Sequence, residues 1–208
     1  IGVASSSIAV ANRCPWARAG VGAVCTQHRT DIRLGPLGLD LLDRGFGAQE
    51  AVDIMVAGSE YPAQRQIAVV DREGRTAFFN GLGIESIATA AQGDACVSTG
   101  NFLANEGVTQ AMVEGYEGCK GGFVEKLLAA VDAGVEAGGE TQDAMAAGLL
   151  VVDKHAWPLV DLRVDFEQNP QVGLRRLWRV YEPIVGRFVT QVHRPFELKP
   201  LINSALTV

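Results

Sequence analysis

Three consecutive hydroxyls, Ser5-Ser6-Ser7, lie in the chain's first apolar stretch. Within a strand over Val3–Val10 they alternate in direction, with Ser5 and Ser7 on one face and Ser6 on the other. A serine so placed is either a substrate-facing hydroxyl or a small residue beneath a closely packed sheet. Thr26-Gln27 closes a second apolar run, and Gly100-Asn101 follows a third, as a turn or as a loop whose bare backbone lets a ligand approach. The more familiar machinery is missing. There is no phosphate-cradling Gly-x-x-x-x-Gly-Lys-Ser/Thr, no dinucleotide Gly-x-Gly-x-x-Gly after a strand and no Gly-x-Ser-x-Gly elbow. His28, His155 and His193 are scattered without the spacings of a zinc site, so neither metal nor other cofactor is expected. A Ser–His–Asp triad assembled through space stays open, but nothing in the sequence supports it.

Charged residues offer two further patterns. Asp161, Arg163 and Asp165 alternate along one run and share a face, as a structural carboxylate–guanidinium ladder or as a ligand clamp. Arg175, Arg176 and Arg179 stripe one face of a helix, either solvated beside acidic neighbours or receiving an anion. Four cysteines at irregular spacing, without a Cys-x-x-Cys pair, fit small buried hydrophobes in a reducing compartment. That points to the cytoplasm. Cys14 and Cys25 could also face each other across two strands.

The elements that must hold these residues follow from periodicity. Strands are predicted at Val3–Val10, Val21–Gln27, Gln66–Asp71, Thr76–Asn80, Ala95–Ser98, Ala146–Val152 and Leu159–Val164. Helices are predicted around Leu37–Leu42, Ala48–Ala57, Val108–Tyr116 capped by Asn105, Val124–Val135, and from Pro170 onward with a kink at Pro183. Residues 81–94 carry no regular pattern. Helices come in doublets and strands pair with their sequence neighbours, which predicts an α+β domain with antiparallel sheets. The whole of 1–208 reads as one domain ending in a tail over 186–208. A net charge of −6 supplies no basic field for nucleic acid, and the apolar runs are too short to cross a bilayer. Apolar Trp157, Trp178 and the tail from Phe196 to Val208 exceed the needs of one such domain, which predicts a homodimer. The chain opens at Ile1 inside a strand, and the natural polypeptide is expected to extend upstream by another strand and its turn.

The run Pro15-Trp16-Ala17-Arg18-Ala19-Gly20-Val21-Gly22-Ala23-Val24, followed by Thr26-Gln27, resembles the family known as domain of unknown function 1028. Gly35–Leu42, Gln66–Asp71, Gly100–Ala104 and Asp161–Asp165 support it in order. The resemblance implies a four-layer αββα sandwich like that of the N-terminal-nucleophile (Ntn) hydrolases. It implies hydrolysis of a small amide or related C–N bond, by a nucleophile on a first residue upstream of Ile1 whose α-amino group is the base. Ser5, Arg18, Thr26, Gln27 and Asn101 are then the candidates for lining the substrate site. A non-catalytic binding or scaffold protein keeping the same sandwich is the alternative.

Overall fold

The computed structural model describes residues 1–198. In chain order the regular elements are β1 (Gly2–Ser5), β2 (Pro15–Arg18), β3 (Gly22–Gln27), α1 (Leu34–Asp43), α2 (Ala48–Gly58), β4 (Gln66–Asp71) and β5 (Thr76–Asn80). Then follow β6 (Thr89–Gly93), β7 (Cys96–Gly100), α3 (Val108–Gly118), α4 (Phe123–Glu136), β8 (Ala146–Val151), β9 (Val160–Val164), α5 (Pro170–Tyr181) and α6 (Val185–His193). This is a mixed α/β chain whose strands form antiparallel sheets in the orders β1-β8-β9, β2-β3-β4-β5 and β6-β7.

Side-chain alternation along the strands assigns each sheet face to a core. Val24, Ile67 and Val69 pack with Leu39 and Leu42 of α1 and Val52 and Met55 of α2. On the other sheet Leu149, Val151, Val160 and Val164 pack with Leu128 of α4 and with Leu174 and Trp178 of α5. The remaining faces meet through Val3, Val10, Cys14, Cys25, Ala68 and Ala146. The residues at this meeting are small because the backbones come close. A Cβ on Gly148 would lie 2.3 Å from that of Ala11, so only glycine fits.

Three differences from the sequence expectations have local causes. The first strand stops at Ser5 rather than Val10. The Ser7 N–H bonds to the Ser5 hydroxyl at 3.1 Å and Ala9 takes φ +53°, so hydroxyl-to-backbone bonds replace the ladder and the chain turns. Ser5 and Ser7 therefore do not share a strand face. Within the segment expected to be irregular, Thr89–Gly93 is β6, paired with β7 through a turn at Asp94-Ala95, with Ala95 at φ +51°. Its composition, Thr-Ala-Ala-Gln-Gly, carries no strand pattern, and α3 packing on it supplies the stability. Asn105 does not cap α3. Its carboxamide instead accepts the Gly107 N–H at 2.9 Å and donates to the Ala137 carbonyl at 2.8 Å, tying the two helix-pair ends together.

The last helix breaks where Pro183 predicts. α5 ends at Tyr181, one 3₁₀ turn follows over Glu182–Ile184, and α6 resumes. Leu201, Ile202 and Leu206, invoked for the dimer, lie outside the described residues. Among the described residues no helix is long and apolar enough to cross a membrane.

Candidate functional site

Three strands from the three sheets end together. Ser5 closes β1, Gln27 closes β3, and Thr99-Gly100-Asn101 closes β7, and all of them line a cavity of about 390 Å³. Its remaining walls are largely apolar: Ala23, Ala68 and Val70 from the four-stranded sheet, Met112, Val113 and Tyr116 from α3, and Leu127, Val131 and Val135 from α4. All four residues of β1, an edge strand in its sheet, line it too.

A carboxamide network closes the polar end. Asn101 Nδ2 donates to Gln66 Oε1 at 2.9 Å and to Gln27 Oε1 at 3.3 Å. Gln66 Nε2 donates to the Gly100 carbonyl at 2.8 Å and to Asn80 Oδ1 at 2.9 Å. Gln27 Nε2 reaches Thr99 Oγ1 at 3.3 Å. Gln66 is wholly buried, so these bonds form where water does not compete. At the same end Glu140 accepts both the N–H of Ser6, at 3.0 Å, and its hydroxyl.

Of the five residues nominated from sequence, Ser5, Gln27 and Asn101 are brought into the cavity wall. Thr26 and Arg18 are not. Thr26 points to the opposite face of β3 from Gln27, is fully buried, and donates its hydroxyl to the Asp31 carbonyl at 3.4 Å. Arg18 pairs with Asp40 at 2.8 Å and Asp43 at 3.6 Å on α1, where it borders a separate shallow depression with His155 and Trp157. Gln66, Thr99, Ser6 and Glu140 were not nominated. The signal for Gln66 was a carboxamide heading the otherwise apolar run Ile67–Val70; for Glu140 it was its place straight after Gly138-Gly139.

Two cysteines line the cavity, Cys25 and Cys96. Burial, reinforced by neighbouring Cys14, pushes the Cys25 thiol up to about 12, so it is protonated and inert as a nucleophile at neutral pH. Cys14 and Cys25 are both free thiols, and the disulfide is not formed. Among the described residues no group of three His, Cys, Asp or Glu side chains could hold a metal ion.

The model of the family of unknown function DUF1028 matches residues 1–174. The chain belongs to that family. A crystal structure of another DUF1028 protein, SPO2555 from Silicibacter pomeroyi, is similar at TM-score 0.81 and 26% identity, over 86% of this chain and 78% of that one. None of the curated proteins matches the chain. The match makes the arrangement of elements a DUF1028 arrangement, and the family's own description assigns it no activity.

Proposed function

We propose that this DUF1028 protein hydrolyses a small amide or related C–N bond, on the four-layer αββα sandwich of the Ntn hydrolases, in the cytoplasm. The nucleophile in this reading is the processed first residue of the natural chain, a Thr or else a Ser or Cys ahead of Ile1. The observation that carries it is the convergence of Gln27 and Asn101, joined by Gln66, on one end of a cavity bordered by the open edge of β1. A strand joined to the start of β1 by a hairpin turn would run antiparallel to it, and one as long as β1 would bring its first residue level with Ser5, at this same polar end.

An α-amino group with an ordinary pKa of about 7.7–8.0 is partly neutral at physiological pH and can take the proton of the adjacent hydroxyl. The hydroxyl oxygen attacks the substrate carbonyl carbon, and the carbonyl oxygen becomes an oxyanion within reach of carboxamide donors. The proton then passes to the leaving nitrogen, the C–N bond breaks, and water releases the acyl group. Asn101 and Gln27 are the donors this reading uses: both line the cavity, and each would turn an N–H from a present acceptor, Gln66 or Gln27 for Asn101 and Thr99 or Cys25 for Gln27, to the oxyanion.

One observation favours the non-catalytic alternative. The carboxamides of Gln27, Gln66 and Asn101 already satisfy one another, as they would in a wall built only for structure or binding. N-terminal sequencing and intact mass of the natural protein decide between the two. A free Thr, Ser or Cys is expected; a blocked or inert first residue such as acetylated Met sinks the hydrolase and leaves the binding protein.

A further inference from the structure

Among the described residues, those other than glycine that take left-handed φ are Ala9, His28, Arg29, Ala95, Phe102 and Asn169. Half of them cluster at the polar end of the cavity, straight after its carboxamides: His28 and Arg29 follow Gln27, and Phe102 follows Asn101. A residue with a side chain is strained in this conformation, whereas glycine takes it freely. Where the chain has only to turn it uses glycine, as at Gly74 in the β4–β5 hairpin, with φ +80°. Burial does not offset the strain at Phe102, which is 48% exposed. What the side chains of His28 and Phe102 do is meet. Their ring centroids are 5.6 Å apart at a tilt of 33°, within the ordinary range of aromatic pairs, and the contact joins the ends of two strands, β3 and β7, that belong to different sheets.

Each of the two rings is anchored in turn. His28 Nδ1 donates to the Gln64 carbonyl at 3.0 Å. The Phe102 N–H donates to the Ser86 hydroxyl at 3.0 Å, and its carbonyl accepts the Thr141 N–H at 2.7 Å. The third carboxamide has a held neighbour as well: Arg65, just before Gln66, is buried and donates to the Arg29 carbonyl. None of these neighbours is a wall residue of the cavity. A carboxamide is aimed by the backbone that carries it, so a fixed residue beside it sets the angle at which it enters the site. We propose that His28 and Phe102 are positioning residues, whose ring contact locks two left-handed turns and so holds the Gln27 and Asn101 carboxamides in place at the polar end. They act through those carboxamides and touch no ligand themselves. With the chain fixed, a change of hydrogen-bond partner there is a rotation of an N–H group rather than a rearrangement of the backbone, which is what a preorganised donor requires. The inference deepens the hydrolase reading and rests on it only for the use made of the carboxamides.

NMR of the isotope-labelled 208-residue chain reads the carboxamides directly. The side-chain amide protons of Gln27 and Asn101 are expected to exchange with water at least about tenfold faster in His28→Gly and in Phe102→Gly, because glycine keeps the turn and removes the ring. Phe102→Tyr, which keeps the ring, is expected to retain the exchange of the unmodified chain. Asn169→Gly makes the same left-handed replacement at the start of α5, away from the site, and is expected to leave both carboxamides unchanged. Unchanged exchange in either folded glycine variant overturns the proposal, and so does equal acceleration in Phe102→Tyr or Asn169→Gly. Loss of signal dispersion across the whole chain in both glycine variants overturns it too, since the rings would then hold the fold rather than the carboxamides. Turnover of small amides by the natural protein is scored separately. Its absence beside ring-dependent exchange removes the hydrolase and keeps the positioning pair.

Discussion

At the scale of single residues, the buried carboxamide Gln66 is the centre of the candidate site. It donates to Asn80 and to the Gly100 carbonyl and accepts from Asn101, so replacing it by an apolar isostere strands several half-buried polar groups at once. Each stranded group costs about 1–3 kcal/mol. Gln66→Leu is therefore expected to lower the urea midpoint strongly, whereas Gln27→Ala, at the cavity surface, should cost less stability and should alter ligand binding instead. Near-wild-type stability of Gln66→Leu would show that the network contributes little.

A second residue governs acid stability. Asp71 is buried, which pushes its carboxyl up, but the Arg75 side chain and the backbone N–H groups of Arg75 and Glu73 outweigh that and hold it below the ordinary carboxylate range. It also accepts the Ala48 N–H at the start of α2, at 3.3 Å. Because the folded value is depressed, the stabilisation is complete above the unfolded value of about 3.9 and is lost as pH falls through the folded one. Asp71→Asn is expected to destabilise by about 1–3 kcal/mol at pH 7. In urea melts that deficit should shrink as the pH is taken below the unfolded value; a deficit independent of pH would count against the carboxylate.

At the scale of elements, α5 is pinned to α4 through Arg175, while Arg176 reaches Glu167 at 3.7 Å and Arg179 is exposed. Arg175 pairs with Glu125 at 3.2 Å and also with Asp132, and the Trp178 indole donates to Glu125 at 2.8 Å. The alternation on β9 resolves differently from a three-residue ladder. Arg163 bonds Asp165 at 2.9 Å, and the Asp165 side chain is 54% exposed. An exposed pair of this kind contributes about 0–1 kcal/mol, so Arg163→Ala should leave the melting temperature within a few degrees of wild type. A larger fall would restore the ladder that the sequence alone suggests.

At the scale of the whole molecule, α6 presents Phe188 and Val192 to solvent, followed by the fully exposed Phe196, and none of its residues is buried. Apolar side chains gathered at one end of a chain favour association over solvation. We propose a homodimer using this end. Sedimentation of the full chain at micromolar concentration is expected to give a dimer, and Phe188→Glu should shift it toward monomer; a monomer in the unmodified protein would end the proposal.

Periodicity and turn chemistry by themselves determined most of the elements: β4 and β5 to the residue, the two helix pairs, and the break at Pro183. These are local properties, set by which face of a strand or helix is apolar and by where Gly and Pro can stand. The DUF1028 match was likewise legible in the run from Pro15 to Gln27. What only the tertiary structure decided was which strand ends meet. Thr26 and Gln27 are neighbours in sequence, yet strand alternation buries one beneath α1 and α2 and gives the other to the cavity. Gln66, Asn101 and Glu140, far apart along the chain, converge on that same end because three sheets terminate there. No local pattern encodes such a meeting, since its stability comes from burial and hydrogen bonds between segments that a sequence window never contains together.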